Sequence, residues 1–447
     1  MADHLKKFDL NKYFSLVNNS TLIKPTGKVS KIVGLIAEGD NLRLSIGSLC
    51  NIINDHGDLI KAEVVGFRDE KALFMTYEDI RGISPGAIIE PLDSSVMVDV
   101  SDKLLGRIID GMGMPIDKKG RIESSDKYNL YAKPVGPMER EPIKEALDVG
   151  VASINSMITL GKGQRIAIMA GSGVGKSVLM GMMTKHTAAD VVVIGLIGER
   201  GREVKDFIND ILGKQGLKRS VVVAATSDSA PLLRMRGAYL ATTIAEYFKD
   251  QGKNVLLIID SITRFAMSSR DVGLAAGEPP TSRGYTPSFF SQIPILLERA
   301  GNFENKGSIT GIYTVLVEGD DLNDPVGDTV RSIVDGHIVL SRELANKGHY
   351  PAVDILSSIS RVMRDVNTTD HMNDKNKLLN ILSSYERAED MITIGAYVDG
   401  SDPDVDHAKA LMPSVNDFFK QDVTQKINMQ SSIKGLKKLF EGQKNRK

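Results

Sequence analysis

Short apolar runs separated by turn residues characterise the chain between Thr26 and Leu92. Clusters rich in Gly, Asp and Pro separate these runs at close intervals. Several short strands at this spacing are typical of a small β-barrel or sandwich. The predicted strands are Lys28–Ile36, Leu49–Ile53, Leu59–Phe67, Ala72–Thr76 and Ala87–Glu90, and a turn is predicted at Glu38–Asp40.

Between residues 151 and 370, nearly continuous apolar runs alternate with segments of helical character. Strands that are buried on both faces have this composition, so the pattern predicts an α/β unit with a parallel sheet covered by helices. The predicted strands are Ile166–Met169, Val191–Ile197, Val221–Ala225, Val255–Ile259, Ile309–Val317 and Gly336–Leu340.

The segment 93–150 is transitional. Leu105–Asp117 is rich in turn residues, and it lacks the third glycine of a dinucleotide-binding fingerprint. Prolines mark Lys133–Pro142 as an extended connector.

After about residue 375 the apolar positions recur at helical spacing. The stretch Asp402–Asp406 is expected to cap a helix from Ala408 onward. Residues 1–24 are expected to form a short amphipathic helix, with a frayed terminus as the alternative for the first ten residues. The predicted organisation is therefore a terminal segment (1–24), a β-barrel (25–95), an α/β domain (96–375) and a helical domain (376–447). The apolar faces comprise Leu378, Leu379, Ile381, Leu382 and Tyr385, and then Leu411, Met412, Val415, Phe418 and Phe419.

The amino-acid composition excludes only a few broad classes of protein. The chain has 447 residues, of which 42% are hydrophobic and 25% are charged, and the net charge is −1. This balance gives no global attraction to nucleic acid or anionic membrane. A single cysteine, Cys50, excludes an internal disulfide and fits a reducing compartment. Because no apolar window is long enough for a membrane span or a signal core, we expect a cytoplasmic protein.

A glycine-rich loop stands out as candidate chemistry. Ala170–Ser177, AGSGVGKS, follows an apolar strand and precedes a helix-like run, which is the context of a phosphate-binding loop. Gly171, Gly173 and Gly175 allow the backbone to curl, so that N–H groups near Ser172 and Val174 point at phosphate oxygens. The following helix adds its positive N-terminus from Lys176 and Val178 onward. A chance turn is the alternative, and the strand–loop–helix context favours nucleotide binding.

Two residues of the motif carry charge and metal chemistry. Lys176 is expected to neutralise the β and γ phosphates, and the Ser177 hydroxyl to ligate Mg²⁺. Asp260 ends the apolar run from Val255, where the magnesium-shell carboxylate of such hydrolases lies. The alternative for Asp260 is the start of a turn.

Three further positions are weaker candidates. Glu199 follows the strand Val191–Ile197, and at that edge of the sheet its carboxylate could orient the attacking water. Tyr350 lies in a loop and could stack on a base, although ordinary packing is the alternative. Arg361 could stabilise charge on a neighbour's γ-phosphate, whereas most such arginines form surface ion pairs.

These stretches, in this order and spacing, resemble the catalytic β-subunit family of rotary ATP synthases, and within it the flagellar and type III secretion export ATPases. Leu105–Asp117 and Gly161–Ser177 are similar to the wider superfamily. Several stretches look specific to export ATPases, and the TGIYTVLVEGDD stretch looks closer to the flagellar branch. They are Gly277–Tyr285, Leu297–Gly301, Val317–Asp321 and Asp335–Arg342.

The resemblance implies an N-terminal β-barrel, a RecA-like P-loop ATPase domain and a C-terminal helical domain, with six copies in a ring and ATP at the interfaces. It implies that Glu199 is the catalytic carboxylate, that Arg200 lies near the γ-phosphate and that Asp260 belongs to the Mg²⁺ shell. Tyr350 takes the adenine-stacking position, and Arg361 becomes the finger that enters the adjacent site.

The same resemblance implies partners. A stator dimer would bind the N-terminal segment, and a central stalk protein would contact the pore loop around Glu278–Tyr285. Export substrates, chaperones and an export gate at the inner membrane are the further partners that it implies. The implied function is to use ATP hydrolysis to unfold export substrates, release their chaperones and support export. The protein would act at the inner face of the cytoplasmic membrane.

Four alternatives to this interpretation remain open. An injectisome ATPase and a proton-driven ATP synthase β-subunit share the superfamily. A nucleic-acid translocase of the transcription-terminator type would require a basic N-terminal barrel with aromatic side chains. The only aromatic residues in 26–92 are Phe67, Phe74 and Tyr77, and the charge of this segment is mixed. A non-catalytic ring subunit would lack Glu199. We therefore expect no specific nucleic-acid partner.

Overall fold

The computed structural model describes residues 25–92, 96–317, 319 and 324–441. These residues form two compact units, which divide between Val96 and Met97. The predicted partner-binding segment 1–24 and the basic tail 442–447 lie outside the described residues, as do most residues of the Val317–Asp321 motif.

The first unit is a closed six-stranded barrel with the strand order β1-β2-β5-β4-β3-β6. Its core consists of apolar side chains that alternate inward along each strand, among them Val29, Ile52, Val64, Phe74 and Ile89. The strands are β1 (Gly27–Val33), β2 (Ile36–Asp40), β3 (Leu49–Ile53), β4 (Leu59–Arg68), β5 (Lys71–Thr76) and β6 (Ile88–Pro91).

The predicted single strand Lys28–Ile36 was wrong, because it is a hairpin of β1 and β2. Gly34 makes the turn with a φ of +59°, a backbone angle that residues with a side chain rarely adopt. The predicted turn at Glu38–Asp40 was also wrong, since these residues end β2 and pair with β5. Gly39 lies there because a Cβ would collide with Ile89 across the barrel.

The second unit is built on a nine-stranded sheet whose main path runs β19-β18-β12-β17-β15-β13-β14-β8. All six predicted strands are present, and they pair in parallel. They are β12 (Arg165–Ala170), β13 (Val191–Ile197), β14 (Ser220–Ala225), β15 (Asn254–Asp260), β17 (Ser308–Leu316) and β18 (Gly336–Leu340).

Three strands of this sheet were missed by pattern reading. β8 (Ile108–Asp110) is only three residues long and pairs with the edge of β14. β16 (Gly301–Asn302) is shorter still and pairs with β17. β19 (Val353–Ser360) is half exposed, lacks an apolar run and lies antiparallel to β18. Two small sheets complete the unit: β7 (Met97–Val100) with β9 (Asp126–Asn129), and β10 (Ala146–Leu147) with β11 (Leu160–Gly161).

Helices cover this sheet and then continue into a helical C-terminal region. None of the helices in the described parts of the chain has the length and apolarity needed to cross a bilayer. The helices are α1 (Ala152–Met157), α2 (Lys176–His186), α3 (Gly201–Asp206), α4 (Gly213–Lys218), α5 (Pro231–Asp250), α6 (Ile262–Ala276), α7 (Pro287–Leu297), α8 (Pro325–Ile333), α9 (Arg342–Asn346), α10 (Met363–Val366), α11 (Thr369–Thr393), α12 (Pro403–Phe419) and α13 (Met429–Glu441), with a π-helical turn at Phe207–Leu212.

The predicted apolar faces of α11 and α12 pack into one core with α1 and α13, around Leu378, Leu411 and Val415. Of the predicted capping stretch, Asp402 caps α12, but the helix begins at Pro403 rather than Ala408, so residues 403–406 lie inside it. The reason is that the Asp402 carboxylate accepts hydrogen bonds from the N–H groups of Asp404 and Val405. Residue 375 lies inside α11, and the four-part division of the chain stays a prediction.

Candidate active site

The glycine-rich loop connects β12 to α2 at the carboxyl edge of the parallel strands. Gly173 and Gly175 have φ values of +79° and +94°, in the left-handed region of backbone conformation. This curls the loop so that its N–H groups can converge on an anion. Val174 is buried and anchors the loop, while Ser172 and Ser177 are exposed. Gly171 is buried and Val178 half-buried at the two ends of the curl. The predicted phosphate cradle therefore has the required backbone shape.

Lys176 points into a buried cluster with two carboxylates. Its Nζ donates to Asp260 Oδ1 and lies 3.4 Å from Glu199 Oε1. The three side chains are 11%, 3% and 15% exposed for Lys176, Asp260 and Glu199. Burial alone lowers the pKa of Lys176, but the Asp260 and Glu199 carboxylates outweigh burial and raise that pKa above its ordinary value.

Glu199 follows β13 and Asp260 ends β15, and the two strands are neighbours in the sheet. Burial raises the pKa of Glu199 to about 7, since the effect of Lys176 in the opposite direction is smaller. A carboxylate that exchanges its proton near neutral pH suits a general base.

Thr314 is a member of this cluster that sequence reasoning missed. Its Oγ1 donates to Asp260 Oδ1 at 2.6 Å, from the end of β17 beside β15. The bond fixes one carboxylate oxygen of Asp260. A hydroxyl within the apolar run Ile309–Val317 was the only signal in the sequence.

Tyr350 lies against the glycine-rich loop, and its base-stacking role stays a prediction. A Cβ on Gly175 would lie 3.5 Å from Tyr350 Cε1, and the ring is 45% exposed. Arg342, a second residue missed by sequence reasoning, donates from Nη1 to the Ser172 carbonyl at 3.2 Å.

Two predicted residues stay away from the cluster. The Arg200 side chain is 81% exposed and lies 3.4 Å from Glu203. Arg361 follows β19, whose last residue pairs with the first residue of β18. It therefore lies at the amino edge of the parallel strands, and its N–H donates to the Asp335 carbonyl at 2.9 Å. The six residues of β12 separate this edge from the loop by about 20 Å.

In the part of the chain that the structure describes, no three His, Cys, Asp or Glu side chains form a metal cage. Asp260 and Ser177 offer only oxygen donors, and such a partial shell fits Mg²⁺, which keeps waters and phosphate oxygens as further ligands.

The chain matches three family descriptions in succession. Residues 29–93 match the beta-barrel domain of the ATP synthase alpha/beta family, and residues 150–360 match the nucleotide-binding domain of that family. Residues 367–438 match the C-terminal domain of the type III secretion ATPase EscN.

Curated relatives cover nearly the whole chain. The "Flagellum-specific ATP synthase" of Bacillus subtilis is 51% identical over 418 residues, which are 93% of this chain and 95% of the relative. The protein of the same name from Salmonella typhimurium is 47% identical, with 94% of both chains covered.

A solved structure, that of the assembled ATPase EscN from the type III secretion system of enteropathogenic E. coli, is similar at 43% identity. Its TM-score is 0.88, with 92% of this chain and 99% of that chain covered. EscN in complex with its central stalk EscO gives a TM-score of 0.85 at 42% identity, with the same coverage. With the buried Lys176–Asp260–Glu199 cluster, these comparisons place the chain in the flagellum-specific ATP synthase family, the flagellar branch of the type III export ATPases, and make it an ATP hydrolase.

Proposed function

We propose that this protein hydrolyses ATP at the interfaces of a homohexamer in a flagellar protein export apparatus. The observation that carries the proposal is the separation of Arg361 from Lys176. The two residues lie at opposite edges of one parallel sheet, so Arg361 has no route to the phosphates bound by its own subunit. In a ring of copies, Arg361 of one subunit meets the loop of the next and stabilises transition-state charge there.

Arg361 is prepared for this role by its surroundings. Its backbone N–H is held by Asp335, and the Asp335 carboxylate is held in turn by Arg165 through hydrogen bonds of 3.0 to 3.1 Å. The Arg361 side chain is exposed at this edge. A fixed backbone with an exposed guanidinium is the arrangement that a trans-acting arginine needs.

Within one site, each buried side chain has a distinct task. Lys176 leaves the two carboxylates and binds the β and γ phosphates, and Glu199 then accepts a proton from the attacking water. Ser177 and Asp260 would hold Mg²⁺, which neutralises phosphate charge. Arg200, now exposed, turns toward the γ-phosphate in the assembled site.

Base recognition belongs to Tyr350, whose ring stacks on adenine above Gly175. Gly171, Ser172, Gly173 and Val174 supply the backbone that surrounds the phosphates.

The partners follow from the family and from the loop Gly277–Tyr285. Arg283 Nη1 lies 3.2 Å from Asp324 Oδ1, and Glu278 Oε2 accepts the Ser288 N–H at 3.1 Å, so the loop is fixed at both ends. A fixed loop can form a rigid pore surface for a central stalk protein. The complex of EscN with its stalk supports this assignment. The stator dimer, export substrates, chaperones and export gate complete the proposed apparatus, at the inner face of the cytoplasmic membrane.

The nucleic-acid translocase is disfavoured by the barrel. Phe74 and Tyr77 are buried in its described residues, which leaves only Phe67 of the three aromatics exposed, at 43%. Single-stranded nucleic acid requires several exposed stacking platforms, and the barrel does not offer them.

Mixing two inactive variants tests the shared site. Lys176→Ala removes the phosphate ligand, and Arg361→Ala removes the finger. In a one-to-one mixed ring, about one interface in four joins an intact loop to an intact finger, so hydrolysis should return. Arg364→Ala, a matched exposed arginine, should stay active alone. Mixed rings that assemble without any recovered hydrolysis would show that Arg361 does not act between subunits.

A further inference from the structure

Gln421 is a buried amide in the connection between α12 and α13, and it is only 5% exposed. Its side chain makes three hydrogen bonds. Oε1 accepts the Ala152 N–H at 2.9 Å, and Nε2 donates to the carbonyls of Gly150 at 2.8 Å and Gln425 at 2.7 Å. Both amide protons and the carbonyl are therefore in use. A buried amide that is fully bonded holds its neighbours in one arrangement, because any shift would leave a polar group unpaired.

The partners of Gln421 rest on the far end of the phosphate-binding helix. Gly150 has a φ of +71°, and a Cβ there would collide with Cβ of His186, the last residue of α2. The segment Gly150–Ala152 is thus seated on the carboxyl end of α2, and Gln421 is bonded to that segment. The position of Gln421 is consequently set relative to α2.

Gln421 also holds the residue over the other end of the same helix. Its backbone N–H donates to the Tyr350 carbonyl at 3.0 Å. The Tyr350 ring lies against Gly175, which caps the amino end of α2. A closed path therefore runs from Gly175 along α2 to Gly150, through Gln421 to Tyr350, and back to Gly175. The helix has 11 residues and spans about 16 Å of this path.

A second amide fixes the remainder of the connection. Asn155 Nδ2 donates to Asp148 Oδ1 at 2.8 Å and to the Ile427 carbonyl at 3.1 Å. Asp148 Oδ2 accepts the Met429 N–H at 3.1 Å. Because both ends of the connection are fixed to the segment that precedes and begins α1, the Gln421 backbone has little freedom to move away from Tyr350.

We propose that Gln421 is a positioning residue that sets the distance between the base-stacking ring of Tyr350 and the phosphate loop, and so controls nucleotide affinity through the base. This inference rests on the proposed adenine contact of Tyr350. The hydrogen bonds of Gln421 go to the Tyr350 carbonyl, to Gln425 and to the segment seated on the carboxyl end of α2, and none goes to the glycine-rich loop. Loss of the side chain should therefore weaken ligands that carry a base and leave bare phosphates unaffected.

The test compares ADP with inorganic pyrophosphate, both with Mg²⁺, by titration calorimetry on the full chain. Gln421→Leu preserves volume and removes all three bonds, whereas Gln421→Glu keeps the acceptor for Ala152. The matched control is Gln425→Leu, an exposed glutamine in the same connection. We expect Gln421→Leu to weaken ADP about tenfold, Gln421→Glu to weaken it less, and pyrophosphate affinity to stay within about twofold. Equal losses for ADP and pyrophosphate would overturn the inference, since they indicate a general structural defect.

A double-mutant cycle separates this inference from the role of Tyr350. Tyr350→Ala alone should weaken ADP but not pyrophosphate, and adding Gln421→Leu should then have no further effect on ADP. If Tyr350→Ala leaves ADP affinity unchanged, the base contact itself is refuted. If Tyr350→Ala weakens ADP and Gln421→Leu weakens it independently or not at all, only the positioning role is refuted.

Discussion

Glu199 Oε1 lies 3.4 Å from the same Lys176 Nζ that is bonded to Asp260 Oδ1. One ammonium and two carboxylates thus share a buried space, and the ammonium is the only positive charge among them. In the proposed mechanism, phosphate oxygens would compete with these carboxylates for Lys176. We therefore expect nucleotide binding to free Glu199 for water and Asp260 for a metal ion.

Lys176→Ala should abolish hydrolysis and weaken ATP binding, because no other residue of the cluster can neutralise phosphate charge. We expect turnover to fall by at least about 10³-fold. Steady-state hydrolysis and fluorescent-nucleotide titration measure the two effects. Lys214→Ala, which removes an exposed lysine, should change neither. Retention of ATP affinity by Lys176→Ala would contradict the phosphate role.

Glu199→Gln should abolish hydrolysis but stabilise the nucleotide-free protein at alkaline pH. The pKa of Glu199 is raised to about 7 in the folded protein from an ordinary value of 4.5. The folded state therefore binds more protons between these values, and stability falls as pH rises through that window. Glutamine stays neutral, so the variant should gain on the order of 1–3 kcal/mol at pH 8 and almost nothing at pH 4.

Thermal unfolding of both proteins at pH 4, 6 and 8, without nucleotide, measures this gain. A melting-temperature difference that does not grow with pH would show that Glu199 titrates normally. Glu386→Gln, a matched change at an exposed carboxylate on α11 that does not contribute to the shift of Glu199, provides the control.

Thr314→Val should raise the Mg²⁺ concentration needed for half-maximal hydrolysis, because Asp260 loses the 2.6 Å bond that fixes one of its oxygens. One hydrogen bond of about 1 kcal/mol corresponds to roughly a fivefold shift. Thr310→Val is the matched control, since Thr310 is equally buried on the same strand but accepts the Gly163 N–H far from the cluster. Equal Mg²⁺ requirements for the two variants would refute the role of Thr314.

Asp117→Asn should destabilise the second unit by about 3 kcal/mol at pH 7. Arg107 makes two bonds to the Asp117 carboxylate, at 2.7 and 2.9 Å, and both side chains are largely buried. Arg107 holds the pKa of Asp117 well below its usual range, so the stabilisation is present above about pH 4 and is lost as pH falls further. Chemical denaturation at pH 7 and pH 3 checks both statements, and Asp126→Asn at an exposed site is the control.

The sequence predicted those parts of the fold whose signal lies within a few neighbouring residues. The apolar runs of β12 to β18 and the glycines at Gly173 and Gly175 are visible within a few residues, and the structure places them as expected. The hairpin at Gly34 was missed because apolar residues flank the turn directly on both sides, Ile32 and Val33 before it and Leu35 and Ile36 after it, which merges the two strands into one run. β19 was missed because an edge strand has only one buried face and lacks a continuous apolar run.

The candidate site was predictable only in part, and for a similar reason. Lys176, Glu199 and Asp260 each end a predicted strand or loop, and parallel strands bring such ends together. Gln421 has no local signal, since its partner Gly150 lies 271 positions earlier in the chain. Contacts of that kind depend on how α12 returns to α1, and no periodicity in the sequence reports it.

The antiparallel orientation of β19 makes two opposite edges of the sheet chemically different. It places Arg361 on one edge of the sheet, while the glycine-rich loop opens on the other. Under the proposed sharing of sites between copies, the surface that offers an arginine differs from the surface that accepts one. Association through two different surfaces is head-to-tail and cannot end at a symmetric pair. Such a chain of copies either closes on itself or grows as a filament. The number of working sites then equals the number of copies only when the circle is complete.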